Sequence, residues 1–257
     1  MIFETHAHVH DPVFDGDRAS MLQRARDAGV ERIVTVGCDL ADSARALAVA
    51  SEHGLDWSLG IHPHEAKDAP ADLGAAFDAA IARAARPPLA IGETGLDFFY
   101  GHSPREAQRE VMRVQVRYAR DRAMPLIFHQ RDAFDEFVAV LREEWRPEMR
   151  GVVHCFTGDT AQARCFVDEF GLRLGIGGVL TFKTAEALRQ AVLAVGLAPI
   201  VLETDCPYLA PAPYRGKRNE PAFIAQTAEA LAQLLETPHD TITTTTAATA
   251  RALFRTS

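Results

Sequence analysis

From the N-terminus onward the hydrophobic period of the sequence switches back and forth, and few architectures satisfy that alternation. Short apolar, β-branched runs, the pattern of strands buried on both faces, give way to longer segments with apolar residues three and four apart, the pattern of amphipathic helices. After "MIFETHAH" the segment "RASMLQRARDAG", Arg18 to Gly29, puts Met21, Leu22, Ala25 and Ala28 on one stripe, with a glycine where a C-cap sits. "RIVTVGC" then reads as a strand, "LADSARALAVASEHG" as a helix, "DWSLGIH" as a strand, "DLGAAFDAAIARAA" as a helix and "PLAIGE" as a strand. The cycle repeats through "SPREAQREVMRVQVRYARDRA" and "PLIFH", "AFDEFVAVLREEW" and "GVVHC", "TAQARCFVDEFG" and "LRLGIGG", and "TAEALRQAVLAVG" and "PIVLETD". It closes with helices over Ala222 to Leu235 and Thr246 to Phe254. Eight strands alternating with helices predict an α/β fold, a (β/α)8 TIM barrel. A doubly wound open sheet is the alternative, but no G-x-G-x-x-G opens the first turn. With no linker and no internal repeat, residues 1–257 are expected to form a single domain.

Composition narrows the function classes. Hydrophobic residues at 47% and charged residues at 24% are globular values, which argues against disorder, collagen-like repeats and disulfide-rich miniproteins. Four cysteines, Cys38, Cys155, Cys165 and Cys206, contain no C-x-x-C pair, so free thiols in a reducing, cytoplasmic setting are expected rather than a zinc ribbon. No secretory signal and no long apolar span is apparent, so no membrane association is expected. The net charge, 27 minus 35 or −8, supplies none of the broad basic surface used for non-specific duplex binding, so any nucleic-acid contact must be local.

Barrel chemistry comes from the C-terminal ends of the strands and the loops that follow. There the sequence places His6 and His8 of "THAH", His62 and His64 of "GIHPHEA", Glu93 of "IGETGLD", His129 of "FHQRDA", His154 of "VHCFTG" and Asp205 of "ETDCPYL". His6, His8 and possible third member His10 fall on one face of an extended strand, because residues two apart point the same way. Six of the ten histidines end strands. Taken singly, each has a plain alternative: Glu93 as a helix cap, His129 bonded to a carbonyl, Asp205 in a turn. Together, buried imidazoles and carboxylates at one mouth are best compensated by divalent cations, and a nitrogen and oxygen donor set suits Zn, Mn or Mg.

"THAH", "GIHPHEA", "IGETGLDF", "PLIFHQRDA", "VVHCFTG", "ETDCPYLAP" and "RGKRNEP" follow one another as they do in the TatD family of metal-dependent deoxyribonucleases, which the chain resembles from Glu4 to about Pro221. The resemblance implies a barrel of the metallo-dependent hydrolase superfamily, acting as a divalent-metal phosphodiesterase on DNA. It implies two metal ions: one held by His6, His8, Glu93 and Asp205, the other by the bridging Glu93 with His129 and His154. Two positions depart from the family pattern, Glu4 for a usual aspartate and Thr94 for a commoner aliphatic, and neither is a ligand.

In that chemistry a metal-activated water is the nucleophile, with Asp205 and Glu93 as the catalytic carboxylates. His62, His64, Arg131 and the "RGKRN" loop (Arg215, Lys217, Arg218, Asn219) are candidates for clamping the phosphate, the plainer reading of the loop being a solvated basic turn. Phe98, Phe99, Tyr100 and Tyr208 either stack on exposed bases or pack. Cys155 and Cys206, by strand alternation, point away from the metals into packing. The expected partner is a nucleic-acid substrate contacted locally at strand ends, with no obligate protein partner. The rival readings are a hydrolase of another bond class, such as a D-aminoacyl-tRNA deacylase, and a non-catalytic scaffold that keeps its metals.

Overall fold

The computed structural model describes residues 1–256. Its strands form an eight-stranded parallel sheet in chain order, the (β/α)8 barrel predicted by the alternation. They are β1 (Ile2–Ala7), β2 (Val30–Thr35), β3 (Asp56–Leu59), β4 (Ala90–Asp97), β5 (Leu126–Arg131), β6 (Gly151–Val153), β7 (Arg173–Ile176) and β8 (Ile200–Leu202). The helices are α1 (Arg18–Asp27), α2 (Leu40–His53), α3 (Leu73–Arg83), α4 (Arg105–Asp121), α5 (Phe134–Glu144), α6 (Thr160–Arg164), α7 (Glu186–Val195), α8 (Ile224–Leu234) and α9 (His239–Phe254). No helix among the described residues is long and apolar enough to cross a membrane. Contacts gather the chain into two compact units, Met1–Thr35 with His154–Ser257, and Val36–Val153.

In the first unit β7 pairs with β8 and β1 with β2, while β8 is tied to β1 through Asp205 N to His6 O (2.9 Å) and His8 N to Cys206 O (2.8 Å). All six residues of β1 are buried, and its two faces do different work. Phe3, at an odd position, packs its ring 5.8 Å from that of Phe254 in α9. A phenylalanine buried in this way contributes roughly 1.5–3 kcal/mol. Glu4 and His6, at even positions, carry polar groups into the interior. The last helix starts at His239, seven residues before the expected Thr246, although threonine is a poor helix former. The run is accommodated because Thr244 and Thr246 donate their hydroxyls back to the carbonyls of Asp240 (2.5 Å) and Ile242 (2.8 Å), and Ile242 is fully buried.

In the second unit β3, β4, β5 and β6 pair side by side. β4 runs to Asp97, four residues beyond the expected end at Glu93, through a Gly-Glu-Thr-Gly sequence of low strand propensity. Pairing with β5 sustains it, and Gly95 makes the pairing possible: its φ is +145°, and a Cβ there would lie 1.9 Å from the carbonyl oxygen of His129. Conversely β3 ends at Leu59 rather than running on to His62. Gln115 of α4, fully buried, takes over there, accepting from Ile61 N and donating to Ile61 O (both 2.9 Å). Gln108, one heptad earlier, clamps Asp97 in the same manner, accepting from its N–H (2.8 Å) and donating to its carbonyl (3.0 Å). Two glutamines on the buried face of one helix therefore fix the chain just where β3 and β4 give out.

Candidate metal centre

Within the first unit, His6, His154 and Asp205 offer ligand atoms that all lie within 4.8 Å of one another. β1 supplies His6 and, one residue past its end, His8; His154 follows β6 and Asp205 follows β8. Asp205 Oδ1 lies 3.4 Å from His8 Nε2 and 3.8 Å from His6 Nε2, and the rings of His6 and His154 stack at 3.7 Å. Burial opposes charge on Asp205, yet the hydrogen bond from His8 and the charges of His154 and His6 outweigh it and hold the carboxyl below its usual range. Asp205 adopts φ +57° and Cys155, beside His154, φ +44°, left-handed conformations that aspartate tolerates and that are uncommon for cysteine. His10 meets the ring of His8 edge-on at 6.0 Å and has its Nδ1 2.7 Å from Thr35 Oγ1 in the turn after β1, and is in none of the ligand groups.

Two carboxylates support these groups, Glu4 and a residue that sequence reasoning passed over, Glu203. Glu203 is fully buried; its Oε1 accepts from Cys155 N (2.6 Å) and lies 3.4 Å from His154 Nδ1. Glu4 Oε1 accepts from His6 N (3.1 Å) and Thr204 N (3.0 Å), and burial pushes its carboxyl well above the usual range, so the departure from aspartate keeps a structural hydrogen-bonding role. Glu4, His6 and His8 are spaced by two, as are Glu203 and Asp205, and that period was the available signal. Cys206 is buried as expected, its thiol pushed up by burial, while Cys155 is only half-buried.

Within the second unit, His62, Glu93 and His129 form another such group. Glu93 Oε1 is 2.9 Å from His129 Nδ1 and 3.4 Å from His62 Nε2. His62 Nδ1 accepts the N–H of His64 (3.1 Å), which leaves the proton of the neutral ring on Nε2, facing Glu93. Burial pushes His62 down to about 4 against the opposing pull of Glu93, so the ring is neutral at pH 7. Asp97 is the other carboxylate missed from sequence, although it stands four residues after Glu93 on the same strand face. Its Oδ2 lies 3.1 Å from His129 Nε2 and 3.0 Å from His64 Nε2. Its Oδ1 accepts from Phe99 N and Tyr100 N (both 3.0 Å). Burial works against charge on Asp97, but these hydrogen bonds, led by His129, hold it well below the usual carboxylate range.

The predicted phosphate clamps fare unequally. His64 is turned onto Asp97, which makes it a partner of the buried carboxylate. Arg131 stacks on Phe99 and Tyr100, with guanidinium-to-ring distances of 4.0 and 4.7 Å. Arg215 lies 3.7 Å over Phe182 and Lys217 5.8 Å from Tyr214, and both residues are exposed. Asn219 is placed differently from these. It is fully buried and donates to the carbonyls of Thr204 (2.9 Å) and Tyr208 (2.6 Å), so it holds the loop. Arg218 is likewise committed: its guanidinium forks onto both oxygens of Asp17 (2.8 and 2.7 Å) and donates to Val13 O.

The donor sets are largely buried, with Asp205 and His129 half-buried, made of imidazole and carboxylate, and free of thiolate, which fits a hard or borderline divalent cation. Residues 3–255 match the family described as TatD related DNase. The chain belongs to the TatD family. Its relatives include the metal-dependent hydrolase YabD of Bacillus subtilis, 38% identical over 99% of each chain. The 3'-5' ssDNA/RNA exonuclease TatD of Erwinia amylovora is 34% identical over 98% of this chain and 99% of its own. Among solved structures the TatD homologue YjjV of Escherichia coli K12 superposes with a TM-score of 0.92 at 31% identity, covering 100% of this chain and 98% of that one. A TatD-family member with these clusters is a metal-dependent hydrolase, and its His, Glu and Asp groups can hold metal ions.

Proposed function

We propose that this enzyme hydrolyses phosphodiester bonds of DNA, removing nucleotides from single-stranded or frayed ends. The observation that carries the reading is the pair of buried imidazole and carboxylate clusters at strand C-termini. The ligand assignment comes from the family resemblance: His6, His8, Glu93 and Asp205 for one divalent ion, and Glu93, His129 and His154 for a second, each Zn, Mn or Mg. When bound, such ions supply Lewis acidity and bring the pKa of water from about 16 toward 7. Around them the chain's own groups have definite tasks. Asp205, held ionised, orients the attacking water or accepts its proton. Neutral His62 donates toward Glu93 and fixes that carboxylate's direction. Asp97 sets the ring orientation of His129, the outer-shell function on which metal sites depend, and Glu203 places its negative charge 3.4 Å from Nδ1 of His154. Arg131, Arg215 and Lys217 remain as phosphate contacts.

Polarity from the 3' end is carried over from the name of the Erwinia amylovora relative. Residues 1–257 are taken as one domain working in the cytoplasm, without an obligate protein partner; the family match over residues 3–255 supports the domain assignment. The test is incubation of end-labelled single-stranded and duplex DNA, closed circular single-stranded DNA, RNA and a D-aminoacyl-tRNA with Mg, Mn or Zn, each with and without EDTA. Metal-dependent mononucleotide release from linear single strands is expected. Activity confined to the acyl-tRNA ester, or none on any substrate, overturns the proposal.

A further inference from the structure

The loop between β4 and α4 carries three consecutive aromatic residues, Phe98, Phe99 and Tyr100, and two of them avoid the core. Phe99 is 56% and Tyr100 52% exposed, among the most exposed large hydrophobic side chains of the described residues. Their rings meet edge to face at 4.9 Å, and the guanidinium of Arg131 covers both, 4.0 Å from one centroid and 4.7 Å from the other. Arg131 differs from the arginines of the neighbouring helix. Arg109, Arg113 and Arg117 are paired with glutamates, whereas among the described residues Arg131 has no carboxylate within ion-pair distance and its side chain donates no hydrogen bond. Flat aromatic faces beside a guanidinium with its donors unspent are the complement of a nucleotide: the rings take the base by stacking, and the fork takes the adjoining phosphate.

The loop that carries the seat is anchored beside the metal cluster of its own unit. Asp97 Oδ1 accepts the backbone N–H groups of both Phe99 and Tyr100, and Gln108 clamps Asp97 from behind, so the loop backbone that carries the rings is held in place. The other oxygen of Asp97 lies against His64 and His129. Tyr100 in turn contacts the ring of His64 edge-on at 5.4 Å and stacks on His102 at 5.6 Å. One carboxylate thus fixes both a candidate ligand, His129, and the aromatic loop.

We infer that Phe99, Tyr100 and Arg131 form a stacking seat for one unpaired nucleobase of the substrate strand, next to the His62, Glu93 and His129 cluster. The inference rests on the nucleic-acid reading above and adds a cause for strand selectivity: a paired base has both faces covered by its neighbours, so only an unpaired one can be surrendered to the seat.

The test is binding of a fluorescein-labelled hexadeoxyribonucleotide to the full-length protein in EDTA, compared with the same strand bearing three abasic sites at its 3' end. The double variant Phe99→Ala, Tyr100→Ala should raise Kd for the normal strand roughly tenfold and leave Kd for the abasic strand unchanged. The rings are exposed, so thermal stability should be retained. During Mn-supported hydrolysis the same contrast should appear in KM. Equal losses on both strands, or no loss on either, would overturn the seat. Hydrolysis of DNA by the wild type with an indifferent double variant sinks this inference alone, whereas a wild type inert toward every nucleic acid sinks the proposed substrate class with it.

Discussion

Asp97 has both oxygens fully employed, one against two imidazoles and the other on two backbone N–H groups. Replacing it with asparagine removes the charge and puts an NH2 group where one pair of acceptor contacts was. Asp97→Asn should therefore stay folded yet lose about 10- to 100-fold in metal affinity or activity, read by metal titration and by initial rates. Full metal affinity and full rate in that variant would leave Asp97 no positioning role. Glu93→Ala and Asp205→Asn should be more severe, with nearly all hydrolysis lost at unchanged far-UV circular dichroism, since they remove a central carboxylate and the group that handles the water. The chemistry at this scale was largely legible, because histidines at strand ends stand out against an apolar background. What escaped were carboxylates that never contact solvent, Asp97 and Glu203, whose value appears only when the ring nitrogen each one faces is known.

Elements fix these residues by means a hydrophobic pattern does not reveal. Gln108 and Gln115 sit at a helical spacing of seven on α4, where the period alone assigns a buried face to apolar residues. Their amides instead replace missing strand partners at Ile61 and Asp97. Gln115→Leu keeps similar bulk but leaves buried backbone groups without partners, so we expect a loss of roughly 1–3 kcal/mol in chemical denaturation. Strand ends were misplaced for the same reason: β3 stops at Leu59 because a glutamine takes over, and β4 continues to Asp97 because Gly95 admits β5. The "RGKRN" loop is likewise an element-level device, with Arg218 tying it to Asp17 near the start of α1. The guanidinium lowers the Asp17 carboxyl from 3.8 to about 2. A lowered folded-state value means that the tie stabilises fully above about pH 4 and is lost as pH falls toward 2. Asp17→Asn should therefore flatten the pH dependence of unfolding between about pH 4 and 2 while lowering stability at neutral pH; an unchanged acid profile would show that the pair contributes nothing.

At the scale of the whole molecule, a net charge of −8 has to be reconciled with a polyanionic substrate. Long-range attraction is not available, and two of the side chains expected to meet phosphate are engaged within the protein, Arg218 with Asp17 and the buried Asn219 with backbone carbonyls. What remains is sparse: Arg131 on its aromatic pair, and Arg215 and Lys217 on the exposed turn. Each phosphate neutralised on a single strand contributes a slope of about −0.7 to log K against log salt. With two or three such contacts the total should lie near −1.4 to −2.1, far shallower than for a protein that tracks a long duplex footprint. Binding that weakly electrostatic selects for a substrate able to compensate by inserting bases into a seat and a terminus among strand-end loops, which a free single-stranded end offers and a closed circle does not. Closed circular single-stranded DNA should thus resist hydrolysis under conditions that degrade its linearised form, and affinity for the linear strand should fall about 7- to 18-fold between 50 and 200 mM salt. Comparable cleavage of the circle would exclude the end-directed mode while leaving the metal chemistry intact, and a steep salt dependence would mean that a longer run of phosphates is bound than these few cations account for.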